Sequence, residues 1–264
     1  MIRAARRSKR PGLTCNEVID PRILFDVAAR LAQAPKTSSF DLMKPETQAI
    51  QRDDASNPAM LWIAEGRTLW SEKAGASRKA CADCHGDVGS LRGVAVRYPA
   101  FKATQNKVIT LDQQIQICRV QEQKADPWAL ESRPVLALSA LIGLQSRGLA
   151  LLPATPAEAS TLAQGRALYE ERRGQMNLSC AQCHDDNAGK SLGGAVIPQG
   201  HPTGYPLYRL EWQDLGSVER RLRNCMVGVR SEPYPYGSPE MVALEVFLRD
   251  RAAGLPLETP AIRP

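Results

Sequence analysis

Large rings are scarce in this chain. Phe, Trp and Tyr make up 5% of its 264 residues, although 43% of the residues are hydrophobic. A chain of this length holds one large or two ordinary domains, so part of its core volume must come from something other than aromatic side chains. No run of 18 or more apolar residues occurs, which excludes a transmembrane helix. Nothing alternates with period two for long enough to propose a real sheet. Acidic residues are missing from the first ten positions, MIRAARRSKR, which hold five Lys/Arg; the rest carries 29 basic and 28 acidic residues, so the body has no nucleic-acid-binding charge. The segment after that basic start carries Glu17, Asp20, Arg22, Asp26 and Arg30 where the apolar stretch of a secretory signal should lie. Histidine is rarer still, with three in the chain, and between Gly86 and Gln175 there is neither histidine nor methionine.

Cysteine is present seven times, at 15, 81, 84, 118, 180, 183 and 225. An odd count argues against a simple disulfide scaffold. Four of the seven form two C-x-x-C-H motifs, CADCHGD at 81–87 and CAQCHDD at 180–186. This motif attaches c-type haem: two thiols bond the porphyrin and the histidine reaches the iron. Two such discs would supply the missing core volume. Zinc fits less well, because ribbon-type pairs lie closer together and a histidine directly after the second cysteine suits haem. Cys81, Cys84, Cys180 and Cys183 are therefore the expected attachment residues, with His85 and His184 as proximal ligands.

The motifs sit inside a repeat. GRTLW at 66–70 and GRALY at 165–169 each begin 15 residues before the first cysteine, and the offset is 99 residues throughout. Each half continues with a Gly-rich loop, a short helix bearing a lone cysteine, and an apolar closing helix. Thr110 with Gln113 forms a capping box before Cys118, and Ser217 is a plausible N-cap before Cys225. Ser132-Arg133-Pro134 and Ser238-Pro239-Glu240 open the closing helices, with glycines near 148 and 254 as stops. The expected fold is mainly α: two tandem cytochrome c-type domains related by an internal repeat, with long loops. The expected boundaries are an N-terminal extension over 1–50, domain 1 over 51–150 and domain 2 over 151–264, with LPATPAEAS at 152–160 as linker.

Methionine and histidine are the usual second axial ligands. In the first half neither exists downstream of the motif, which leaves Cys118, 33 residues after His85, as the strong donor available. The alternatives are a buried free cysteine, an open iron or a ligand borrowed from elsewhere. In the second half Met226 competes with Cys225. Two features favour Cys225: its place matches that of Cys118, and Arg221 lies one helical turn before it, where a guanidinium favours thiolate over thiol. A disulfide between Cys118 and Cys225 is a further alternative. His201, in the loop QGHPTGYP, reads as structural.

Several stretches resemble the SoxA family, dihaem subunits of the SoxAX cytochrome complexes of bacterial thiosulfate oxidation. They include DLMKPETQAIQRDD, NPAMLWIAEG, RRGQMNLSCAQCHDDNAGK, QGHPTGYPLYRLEWQ and RLRNCMVGVRSEPYPYGSPE, and the resemblance runs from about Phe40 onward. It implies a periplasmic L-cysteine S-thiosulfotransferase that couples thiosulfate to a cysteine of the carrier SoxYZ and forms a heterodimer with the cytochrome SoxX. It also implies two covalently bound haem c groups. Cys225 would be both iron ligand and sulfur nucleophile, carried as a persulfide. Arg221 would contact the anionic substrate, and Cys118 with His85 would ligate the other haem. A plain dihaem electron carrier is the competing expectation. RRLR at 220–223 and Arg230 would add positive charge for a dianion.

Overall fold

The computed structural model describes residues 35–264, and residues 36–264 form one compact unit. The expected leader lies, up to residue 34, outside the described residues, as does Cys15. The chain runs through α1 (Pro45–Arg52), α2 (Met60–Ser71) and α3 (Cys81–His85), then β1 (Ala100–Lys102) and β2 (Lys107–Ile109). Helices α4 (Leu111–Gln121), α5 (Arg133–Gln145), α6 (Ala159–Glu170) and α7 (Cys180–His184) follow. Beyond them lie β3 (Ser191–Leu192), β4 (Ala195–Val196), β5 (Leu207–Arg209), β6 (Asp214–Gly216), α8 (Val218–Gly228), α9 (Pro239–Arg251) and β7 (Ala261–Arg263). The fold is mainly α. The strands are two or three residues long, too short to leave a period-two pattern. They form two antiparallel hairpins and a sheet in which β5 pairs antiparallel with β6 and parallel with β7.

Two helix pairs carry the core: α2 crosses α5, and α6 crosses α9. In α5 every residue from Val135 to Gly143 is buried, and each aliphatic side chain among them stabilises the fold by about 1.5–3 kcal/mol. The GR dipeptides of the repeat explain how the helices meet. A Cβ on Gly66 would stand 2.5 Å from the Ala137 carbonyl oxygen, and one on Gly165 would stand 2.0 Å from that of Ala243. Only glycine lets the paired backbones approach that closely.

The capping signals place the helices well. Thr110 and Ser217 accept from Gln113 N and Arg220 N, both at 3.2 Å, and Ser238 accepts from Met241 N. Ser132 makes no such bond, and its hydroxyl is buried without a partner. The expected linker is partly a packed element. Glu158 is buried and pairs with Arg249 at 2.6 Å, both side chains being at most 4% exposed, while Arg249 also donates to the carbonyls of Arg97 and Pro99. Arg249 thus ties the chain entering α6 to the loop before β1.

Candidate active site

Each C-x-x-C-H helix starts where a tight turn is bonded to the end of a lone-cysteine helix. Before α3, the turn 74–79 donates from Ala76 N and Ser77 N to the Lys124 and Gln123 carbonyls, and Gln123 Nε2 donates back to Lys79 O at 3.0 Å. Before α7, Gln175 N and Met176 N donate to the Arg230 and Val229 carbonyls. At the apex of these turns a Cβ on Gly75 would lie 2.1 Å from Gln123 O, and one on Gly174 would lie 2.2 Å from Val229 O; both glycines have positive φ. These bonds bring the C-terminal ends of α4 and α8, and therefore Cys118 and Cys225, to the two motifs.

In the second half, the His184 ring and the Cys225 thiol are near enough that each acts on the other's charge. His184 Nδ1 meets the Pro198 carbonyl oxygen at 2.7 Å, which fixes the ring orientation and leaves Nε2 for the other side. Gly200 closes over the same ring, with room for a Cβ only 3.3 Å from His184 Cγ. Burial opposes charge on Cys225, but the His184 contact, Arg221, and Arg209 outweigh it and hold the thiol below its ordinary pKa. Burial also opposes charge on His184, yet its bonds to Cys225 and Pro198 raise it. Cys180, pushed up to about 11 by burial and then by the neighbouring Cys225 charge, completes the group.

In the first half, Cys118 stands near Cys81, whose thiol is raised by burial and then by Cys118. Gln114, one turn earlier on α4, donates Nε2 to Cys118 Sγ at 3.1 Å. Cys84 and His85 are exposed, and the His85 ring lies 5.8 Å from that of Trp70, whose Nε1 donates to Gly86 O.

The competing donors lie elsewhere. Met226 is buried in the cluster of Tyr169, Met241 and Phe247. His201 is buried, and its Nδ1 bonds to Thr37 O at 2.8 Å. Cys118 and Cys225 are free thiols, not a disulfide. The positive run 220–223 divides: Arg220 pairs with Asp214 and stacks on Trp212, while Arg223 donates to Tyr234 O and stacks on Tyr236. Of these, Arg221 acts on Cys225. Sequence reasoning missed Arg209, which also acts on Cys225; its signal was a lone arginine inside the apolar strand LYRL. It also missed Gln114, Pro198 and Gly200.

The donor set suits haem c. The thiols of Cys81, Cys84, Cys180 and Cys183 are free, and each helical turn presents a histidine beside them. In the second half a thiol meets that histidine from a different helix, the soft-plus-imidazole pairing that iron accepts.

Comparison with known proteins agrees. The SoxA/TsdA cytochrome c domain pattern matches residues 65–151 and 164–257, and that domain implies covalently bound haem c. The chain is 37% identical over 228 residues to the L-cysteine S-thiosulfotransferase subunit SoxA of Rhodovulum sulfidophilum, covering 86% of this chain and 79% of that protein. It is 34% identical to the subunit of the same name from Pseudaminobacter salicylatoxidans, covering 88% and 85%. Its fold superimposes on the crystal structure of SoxXA from P. pantotrophus with a TM-score of 0.86 and 28% identity, covering 90% of both chains. A half-buried thiol that interacts with a histidine and with an arginine one turn before it, downstream of a haem-attachment motif, is therefore carried on a chain that belongs to the SoxA family of cytochromes c.

Proposed function

We propose that this chain is the catalytic subunit of an L-cysteine S-thiosulfotransferase, with two tandem haem c domains over 51–150 and 151–264. Cys81, Cys84, His85 and Cys118 would hold one haem; Cys180, Cys183, His184 and Cys225 would hold the other. When bound, haem c accepts single electrons. The overall reaction joins the outer sulfur of thiosulfate to a carrier cysteine thiol, forming a sulfur–sulfur bond and releasing two electrons and the thiol proton. The partners of this reading are a SoxX cytochrome, in keeping with the SoxXA structural match, and a SoxYZ carrier in the periplasm. Among the described residues no helix is long and apolar enough to cross a membrane.

The observation that carries this reading is that His184 and Arg221 both act on the Cys225 thiol and favour its charged form. The depressed pKa of Cys225 favours its thiolate, the form that reacts with sulfur. Its sulfur would bond the outer sulfur of thiosulfate as two electrons leave, giving a Cys225–S–S–sulfonate adduct with the sulfonate retained, and the carrier thiolate would then take the whole thiosulfate group as Cys225 departs as thiolate. Arg221 makes no ion pair and donates no side-chain hydrogen bond among the described residues, so its guanidinium is free to grip sulfonate oxygens. A planar fork suits paired oxygens better than an ammonium does. His184, fixed through Pro198, holds its ring toward the sulfur. The test is Cys225→Ala in the holoprotein with its partner cytochrome and carrier. Loss of thiosulfate consumption with reduction of the first haem intact supports the proposal; unchanged consumption would leave a plain electron carrier.

A further inference from the structure

His184 and Pro198 meet through one hydrogen bond, and the residues that follow each of them are joined by an arginine. Arg251, the last residue of α9, donates from one terminal nitrogen to Asp185 Oδ1 at 2.5 Å and to the Gln199 carbonyl oxygen at 3.2 Å. Asp185 comes directly after His184, and Gln199 directly after Pro198. Arg251 therefore brackets the bond between His184 Nδ1 and the Pro198 carbonyl oxygen, which is 2.7 Å long. A carbonyl can only accept, so Nδ1 carries the proton and Nε2 is left unprotonated, the form that binds a metal.

The clamp is supported on both sides. Asp185 Oδ1 also accepts from the hydroxyl of Tyr169 at 3.0 Å, and Tyr169 is buried on α6. The Arg251 guanidinium lies over the Tyr169 ring, 4.8 Å from its centroid, and 5.7 Å from that of Phe247. On its far side the loop is tied to the chain before α1: Thr37 N donates to Gln199 Oε1 at 2.8 Å, and His201 Nδ1 donates to Thr37 O at 2.8 Å. The arginine side chain is 23% exposed and its carboxylate partner 40%, so as a bare ion pair it adds little stability.

The first half has no counterpart among the described residues. Trp70, 99 residues before Tyr169, donates to the backbone oxygen of Gly86, which stands where Asp185 does. Glycine offers no carboxylate. Helix α5 ends in Gln145, whose amide donates back to Leu141 O within the same helix. The aspartate and the arginine thus belong to the half that carries Cys225.

Resting on the function proposed above, in which His184 ligates a haem, we infer that Arg251 is a positioning residue. It fixes the loop 198–200 against the His184 ring and so sets the orientation and electron donation of that imidazole. A hydrogen bond from the outer ring nitrogen raises a ligand's basicity, and such bonds are one of the protein's levers on haem potential. A firmly held Nδ1 bond favours ferric iron and keeps the potential of that haem low; loosening it raises the potential. Removal of a cation acting through charge alone would do the reverse and lower it, so the sign of the shift separates the two.

The experiment is NMR of the ferric holoprotein with isotope-labelled histidine, in complex with its cytochrome partner, joined to a redox titration. In Arg251→Met the His184 Nδ1 proton should exchange with solvent about tenfold faster or more, the loss of one charge-assisted hydrogen bond. The potential of the second haem should shift upward while that of the first stays put. Arg251→Lys should recover part of both effects, because the charge returns without the fork. Should Arg251→Met fold poorly, Asp185→Asn keeps the shape, weakens the clamp and should speed exchange in the same direction. Unchanged exchange in the folded variants, or a potential that does not rise in Arg251→Met, would overturn the inference and leave Arg251 a tie between helix ends. A wild-type His184 ring signal with no paramagnetic shift would instead sink the ligand assignment on which it rests.

Discussion

One turn before its cysteine, α4 carries Gln114 and α8 carries Arg221; the two positions are 107 residues apart, as are Cys118 and Cys225. Gln114 donates a neutral hydrogen bond to its sulfur, whereas Arg221 adds a full positive charge beside its own. The same scaffold position thus gives one sulfur a quiet partner and the other an electrostatic one. The histidines differ in the same direction. His184 is pinned by Pro198 and covered by Gly200, while His85 is exposed against Trp70. The difference teaches that a repeated sequence pattern can bring two cysteines alike to their motifs and still give them different neighbours.

The contrast can be broken from its strongest point downward. Cys225→Ala should lower thiosulfate turnover by at least about a thousandfold, as loss of a nucleophile does. Cys118→Ala should keep most of the activity, and steady-state assays on both variants decide it. Arg221→Gln recreates the first half's arrangement in the second. It should reduce kcat/KM about 10- to 100-fold, the value of one lost charge-assisted contact of about 1.5–3 kcal/mol, with haem absorption little changed. Gln114→Arg should give no gain in turnover. A large spectral change in Arg221→Gln would instead assign Arg221 to holding the ligand.

The helix pairs sharpen the comparison at smaller scale. Gly165→Ala should destabilise by about 1–3 kcal/mol through overpacking, and Gly66→Ala by less, because its carbonyl neighbour is 0.5 Å farther away, at 2.5 Å against 2.0 Å. Thermal unfolding of the holoproteins measures the order.

The second positions of α4 and α8 give the smallest effect. Asp112 accepts from Ser139 at 2.6 Å, while the equivalent Glu219 faces Glu245. Asp112 is pushed from 3.8 up to about 7 by burial, and burial with the Glu219 charge raises Glu245 well above 4.5. Glu131, Arg220, Arg223 and Tyr236 stand around the same seam. Raised carboxyls favour the fold when protonated, so their contribution is complete below about pH 4 and is lost as pH rises through the folded pKa values. Stability should therefore decline between about pH 5 and about pH 8, and Glu245→Gln should flatten that decline. An unchanged melting curve against pH would reject the assignment.

Much of this was legible in the sequence. Helix starts at Thr110, Ser217 and Ser238 followed from local capping chemistry, and the GR repeats marked the helices that lead into each motif, though not that their glycines let helices cross closely. The absence of methionine and histidine from 86–175 pointed to Cys118 by elimination, and the arginine spacing pointed to Cys225. What stayed hidden depends on long-range approach. Arg209 reaches Cys225 from a strand of three residues, and Pro198 meets His184 through an irregular loop; neither leaves a periodic trace. RRLR looked uniformly cationic, yet folding pairs Arg220 and Arg223 with Asp214 and Tyr234 and leaves Arg221 for the sulfur.

The most direct test of the central claim is mass spectrometry of the holoprotein after incubation with thiosulfate labelled in its sulfane sulfur. The account predicts label on the peptide containing Cys225 and none on the peptide containing Cys118. Label on Cys118, or on neither cysteine while turnover proceeds, would contradict it.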